Sequence, residues 1–472
     1  MERASVIGSG PNGLSAAIVL AQAGLAVDVY ETEQQPGGAA RTMPLTLPGY
    51  LHDFGSAVHP MAAGSPFFGT LPLAQRGLQW IHSPAALAHP FDDGTAVLLR
   101  REIEPTLNYL REDRTRWRDL FQPLAEQWPA LAEEILGPVL HLPRHPLMLA
   151  RFGIKAMQPA RYFAESQFHN ARTRAVFAGL AAHSYLSLDS PASAAVGLVM
   201  TIAAHAIGWP IPKAGAQSIT NALLAELESH GGTLHRGRRI GSMAELPDAL
   251  TLCDVPPQHL QKIAAGRLTP EFNQKLNKFQ PGPGAFKIDY ALSQPIPWKA
   301  FDCGLAATVH LGGTLEEIVH SENEMFRGRV AEKPFVLLSQ PSLFDPTRAP
   351  AGKHTAWAYC HVPNASRIDM TERIENQIER FAPGFRECVL HRRVFTPADL
   401  EAADANLIGG DVSGGAMTAR QLLFRPTLRA YATSDPKIYL CSASTPPGGG
   451  VHGMCGYHAA KMALRDLGSK RG

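Results

Sequence analysis

Ala4-Ser5-Val6-Ile7-Gly8-Ser9-Gly10-Pro11-Asn12-Gly13 is followed by a small-residue apolar run to Ala23, then Gly24, then Val27-Asp28-Val29-Tyr30-Glu31. The order is strand, tight turn, helix, stop, strand, acid. Gly8 lets the chain turn sharply out of the strand. Gly10 has no Cβ to hold a pyrophosphate away from the backbone, and Gly13 lets the helix lie close to the strands. Pro11 and Asn12 complete the loop at the helix N-terminus, whose unpaired N–H groups and partial positive charge suit that pyrophosphate. Leu14, Ile18, Leu20 and Ala21 form an apolar face, and Gly24 suits the C′ position. Glu31 follows Gly13 by 18 residues, close to the roughly 20 expected of the carboxylate that binds ribose hydroxyls. A carboxylate there disfavours a 2′-phosphate.

The remaining composition sets limits around this dinucleotide unit. The chain has 472 residues, enough for two or three domains. It is 45% hydrophobic and 18% charged, which is globular and rich in core. A net charge of +2 gives no argument for nucleic acid. Six scattered cysteines without a CxxC fit a reduced cytoplasmic protein with neither a disulfide framework nor a metal site. The fingerprint starts almost at Met1, so no signal peptide is expected. The most apolar stretch, Ala192 to Trp209, is short for a span and holds His205; it reads as a buried helix opened by Ser190-Pro191.

Further along stand Gly37-Gly38-Ala39-Ala40-Arg41-Thr42 and His52-Asp53-Phe54-Gly55-Ser56-Ala57-Val58-His59-Pro60, whose small residues suit loops pressed against a flat ring. Helical patterns fill residues 107–209. Within them Arg144, Arg151, Lys155 and Arg161 interleave with Leu147, Phe152, Ile154 and Met157, a pattern that suits either a cap helix or peripheral contact with a membrane. A helix is expected over Ser218 to Leu227, strands between residues 284 and 362, and a helix from about Met370 to Phe381. The last stretch, Ile438 to Gly456, carries Gly448, Gly449, Gly450, Val451, His452 and Gly453 between a strand and a closing helix. A helix N-terminus there would offer partial positive charge to an anionic cofactor.

These motifs resemble those of FAD enzymes of the amine oxidase and phytoene desaturase superfamily, including its pyridine-nucleotide-disulfide-oxidoreductase-like members. "GGAARTM", "HDFGSAVHP", "PFVLLSQPSLFDPTRAPAGKHTAWAY" and "IYLCSASTPPGGGVHGMCG" carry the likeness, which runs nearly end to end. Ser442 and Ser444 stand where many relatives have glycine. The resemblance implies an α/β fold: a Rossmann-type, glutathione-reductase-like FAD-binding domain (1–90, 213–265 and 400–472). Into it is inserted an α+β substrate domain (91–212 and 266–399) with a helical cap and a mixed, mostly antiparallel sheet. It implies FAD held by Gly8, Gly10, Pro11, Asn12, Gly13, Glu31, Gly37, Gly38, Ala40, Arg41, Gly449, Gly450, Val451 and Gly453.

Lys287, in "GPGAFKIDYAL", resembles the amine oxidase strand lysine that reaches flavin N5 through a water. With His452 and His59 it completes the candidate catalytic set, and His310 is a further candidate pocket group. The expected reaction is hydride removal from a C–H bond of a small lipophilic substrate, such as a polyene or isoprenoid, with oxygen or a quinone as electron acceptor. A flavin amine oxidase, a flavin-dependent isomerase or saturase, and a GDI-like lipid-binding protein without enzymatic activity are the alternatives.

Overall fold

The computed structural model describes residues 2–469. Strand Arg3–Ile7 lies at the centre of a five-stranded, wholly parallel sheet. Ala26–Tyr30 and then Thr233–His235 lie on one side of it; Leu250–Cys253 and then Ile438–Leu440 lie on the other. The fingerprint helix Pro11–Gln22 is buried along almost its whole length, because helices Gln217–Ser229 and Met454–Ser469 cover the sides that the sheet leaves. Parallel strands need such covering on both faces. Ala23 caps the fingerprint helix and Gly24 follows at φ +87°, as expected.

A second, seven-stranded sheet runs in the order Val389–Phe395, Gly284–Leu292, His354–Val362, Val336–Ser339, Ala306–Leu311, Ala85–Pro90, Ala96–Leu99. All its pairs are antiparallel except that of Ala306–Leu311 with Ala85–Pro90. Its faces differ in character. Phe286, Ile288, Tyr290, Val336, Leu338, Ala358 and Cys360 point into one apolar cluster, closed by Ile374, Ile378 and Phe381 of helix Thr371–Phe381. The alternate residues, Lys287, Asp289, Leu337, Trp357, Tyr359, His361, Thr308 and His310, form the opposite face, beneath the helices between Arg114 and Ala206.

Two boundaries differ from expectation. Strands Ala85–Pro90 and Ala96–Leu99 form a hairpin through Phe91–Thr95 and belong to the seven-stranded sheet. The first stretch of the dinucleotide domain therefore ends before Ala85, not at 90. The helix expected from Ser190-Pro191 starts at Ala194, because Ala192 takes φ +67° and breaks the helical path; Ser193 Oγ accepts instead from the Ala160 N–H. Between Arg236 and Leu250 the chain forms only a 3-10 turn, Met243–Glu245, held by a Ser242–Glu245 capping box. The excursion into the helical region is tied off at its ends, where Trp80–Ile81 pairs with Ile211–Pro212.

Candidate functional site

At the fingerprint, sterics justify the glycines. Gly8 takes φ +97°, and a Cβ on Gly13 would run into the Gly8 carbonyl oxygen. Glu31, at the end of its strand, accepts from Ser9 N–H (3.0 Å), Ser9 Oγ (2.6 Å) and Glu33 N–H (2.9 Å), so its carboxylate is fixed beside the loop. The side chain of Arg41 turns back to donate to the carbonyls of Gly38 (2.6 Å) and Ala403 (2.8 Å), over the Phe54 ring. It braces the loop and does not line the cavity described below. Gly37 packs on Thr220, and Gly453 packs on Ser15 and Phe68.

Sequence reasoning passed over Asp254. It stands at the end of strand Leu250–Cys253, beside the fingerprint strand, and its Oδ2 accepts from the Gly13 N–H at 2.9 Å. A Cβ on Gly10 would meet the same oxygen at 2.8 Å. Burial pushes this carboxyl up to about 7; the Gly13 N–H works against that shift, and Asp404 and Glu31 add to it. Its signal in the sequence was an acid directly after a parallel strand, where open α/β sheets carry their ligand sites.

The C-terminal loop meets the fingerprint from the other side. Gly448 and Gly450 take φ +115° and +126°, and a Cβ on Gly449 would sit 2.6 Å from the Ser413 carbonyl oxygen. Ser442 and Ser444 brace this loop: their hydroxyls bond each other at 2.6 Å, and Ser442 donates to the Val255 carbonyl at 2.8 Å. Arg425 is also missing from the expected set. It is buried and donates to the carbonyls of Gly414 (2.6 Å) and Ala443 (2.9 Å), which places a fixed positive charge beside Gly448.

One cavity of about 750 Å³ joins these loops to the second sheet. Gly10, Pro11, Asn12, Gly38, Ala40, Gly449, Gly450 and Val451 line its dinucleotide end. Val199, Met200, Trp209, Leu337, Trp357 and Tyr359 line its far chamber, and Lys287, His59 and His452 also border it. His310 does not; it stands behind His183, to which it bonds at 3.0 Å. Burial pushes His59 and His452 each down to about 4, so both rings are neutral at pH 7. His452 Nδ1 accepts from the Met454 N–H at 3.1 Å, and His59 Nε2 has no partner. The Lys287 ammonium is ion-paired with Asp289 and lies 5.5 Å from the centre of the Phe395 ring. Burial raises the Asp289 carboxyl to about 6 against the pull of Lys287, while burial and the nearby Lys287 and Arg348 cations press His52 down to about 3. Asp53 pairs with the buried Arg348 at 2.5 Å and accepts from Ala216 N–H and Thr42 Oγ1, tying three distant segments together.

Residues 6–68 match the NAD(P)-binding Rossmann-like domain model. The chain is 24% identical to pyridine nucleotide-disulfide oxidoreductase domain-containing protein 2 of Rattus norvegicus, across 98% of this chain and 93% of that protein. It is 25% identical to the neurosporene-forming phytoene desaturase of Rhodobacter capsulatus, across 97% and 92%. Wild-type putrescine oxidase, solved with putrescine bound, shares the fold with a TM-score of 0.63 at 16% identity, across 99% of each chain. The chain is therefore a relative of these oxidoreductases, with a Rossmann-type domain and a mixed second sheet, as its motifs implied.

Proposed function

We propose that the chain is an FAD-dependent oxidoreductase, the class of its relatives, and that it removes a hydride from a C–H bond of a lipophilic substrate such as a polyene or isoprenoid. The observation that carries this reading is the continuity of the cavity, from a backbone-walled dinucleotide end to an apolar, aromatic chamber. The residues present fit the cofactor. Gly10 and the backbone N–H of Asn12, in the first turn of helix Pro11–Gln22, would meet the pyrophosphate. Glu31 would hold ribose hydroxyls, and Gly38, Ala40 and Gly449–Val451, which border the cavity, would lie against the ring. When bound, FAD supplies the hydride acceptor.

The protein's own part is position and electrostatics. Arg425 and the N-terminus of helix Met454–Ser469 set positive potential beside the glycine loop. The apolar chamber keeps water from the reacting carbon, and the neutral His59 and His452 offer lone pairs or N–H groups without adding charge. Oxygen or a quinone is the proposed electron acceptor.

Peripheral membrane contact is proposed as the route of substrate entry. Val139, Leu149, Phe152 and Met157 border the cavity, while Leu142, Leu147, Ile154 and Tyr162 nearby are exposed among Arg144, Arg151 and Lys155. No helix among the described residues is long and apolar enough to cross a membrane.

The test is the visible spectrum of the purified protein, with the heat-released cofactor identified by mass, followed by anaerobic bleaching with lipophilic substrates. Flavin bands and released FAD support the reading. A colourless protein that refuses FAD sinks it and favours lipid binding without redox chemistry.

A further inference from the structure

On the chamber floor, four side chains from two neighbouring strands form a square: Lys287 stands opposite Tyr359, and Asp289 opposite Trp357. The Lys287–Asp289 edge is closed on itself by an ion pair. The Trp357–Tyr359 edge is open. The Trp357 indole N–H is buried and has no partner. The Tyr359 hydroxyl, beside Tyr185, is a second donor on this edge. Trp357 and Tyr359 both border the cavity, with ring centres 5.4 Å apart.

Leaving a buried donor unsatisfied costs about 1–3 kcal/mol, so an apolar chamber built only for hydrocarbon would be better served by Phe at both positions. The chemistry of the edge selects its ligand. Both groups are donors, so they suit an oxygen with lone pairs. The carboxylates that an ammonium would need are not offered to it: Asp289 and Glu322 do not border the cavity, and Asp411, which does, accepts from the Gly282 N–H at 2.7 Å and from Ser413 Oγ at 2.6 Å. Lys287, the cation beside this edge, is already paired with Asp289, which leaves it no free charge for a carboxylate ligand.

We propose that the substrate is an oxygenated lipophile whose carbonyl oxygen accepts hydrogen bonds from Trp357 and Tyr359, rather than a bare hydrocarbon or an amine. The inference rests on the oxidoreductase reading above and narrows its substrate class. The carbonyl pins one end of the molecule beside Lys287, and the apolar remainder extends along Leu337, Trp209 and Met200.

Equilibrium dialysis of the FAD-loaded wild-type protein against three C15 isoprenoids, farnesal, farnesene and farnesylamine, tests it. Farnesal should bind about tenfold more tightly than either of the others, the scale of one good hydrogen bond. Trp357→Phe and Tyr359→Phe should each weaken farnesal binding about fivefold and leave farnesene within twofold. Equal affinity for farnesal and farnesene, or tightest binding of farnesylamine, overturns the proposal on the wild-type protein alone. So does a variant that loses both ligands equally, since its side chain then supplies only shape. Absence of flavin bands in the same preparation would mark failure of the oxidoreductase reading, separately from the ligand ranking.

Discussion

At one end of the cavity the wall is backbone. Gly10, Gly38, Gly449 and Gly450 border the space, while the side chains of Arg41 and Ser442 are engaged in bracing the loops. At the other end the wall is side chain: Trp357, Tyr359, Trp209 and His183 face the space from a sheet and a cap whose backbone is fully engaged. The first end is shaped for a ligand that is the same in every turnover, so steric exclusion of Cβ atoms matters most. The second is shaped by residue identity and can change its ligand by single substitutions.

The comparison can be broken in several places. The largest effect is expected at Arg348, which serves the chamber's frame. Arg348→Met leaves Asp53 buried and uncompensated, at a cost of about 3–5 kcal/mol read from the urea midpoint. Arg348 also holds Asp53 below the usual carboxylate range, although burial alone would raise it. That stabilisation is present above the ordinary carboxylate range and is lost as pH falls through the depressed value, so acid should destabilise wild type more than the variant.

Next comes Gly13→Ala. Its Cβ would meet the Gly8 carbonyl, so about 3 kcal/mol of stability and most of the bound FAD should go together. Substitutions at Trp357 should spare FAD; if Gly13→Ala keeps its flavin, the steric account of the backbone end is wrong.

A smaller effect is expected at Asp254, whose negative charge opposes a pyrophosphate at the same helix N-terminus. Because its folded pKa is raised to about 7, the folded state takes up a proton as pH falls below that value. Stability from this group therefore grows from pH 7 towards the ordinary carboxylate range, and is lost as pH rises through 7. FAD affinity of the wild type should rise between pH 8 and pH 6. Asp254→Asn should bind FAD about tenfold more tightly at pH 8, with a flat profile, by titration calorimetry. A parallel pH dependence in the variant would rule Asp254 out.

The smallest effect lies on the surface. Arg151→Glu with Lys155→Glu should shift stability by no more than about 0.5 kcal/mol, yet abolish flotation on anionic vesicles at low salt. Unchanged flotation would remove the membrane route.

The two ends also differed in how well they could be read from sequence. The backbone end is local: strand, glycine loop and helix follow one another within about twenty residues, and each glycine has a steric reason that shows in its spacing. The side-chain end depends on register. That Lys287 faces Tyr359, and Tyr359 faces Leu337, follows from pairings between strands far apart in the chain, and no local pattern fixes them. Lys287 was legible by resemblance, but its partner Asp289 and the donor edge at Trp357 were not. Asp254 escaped because a strand-ending acid becomes meaningful only once its strand lies beside the fingerprint. The hairpin of Ala85–Pro90 and Ala96–Leu99 was split between the two expected domains because chain order, rather than pairing, set the boundary at residue 90.

The short ladder of Trp80–Ile81 with Ile211–Pro212 has a consequence for the history of such chains. The excursion between those strands leaves and rejoins the body at adjacent points. Its helices can therefore lengthen, shorten or be exchanged wholesale without moving either sheet. A lineage could acquire a new substrate repertoire by grafting a different lid onto the two inherited sheets, and the place to cut and splice lies between the hairpin that ends at Leu99 and the returning strand of this clasp.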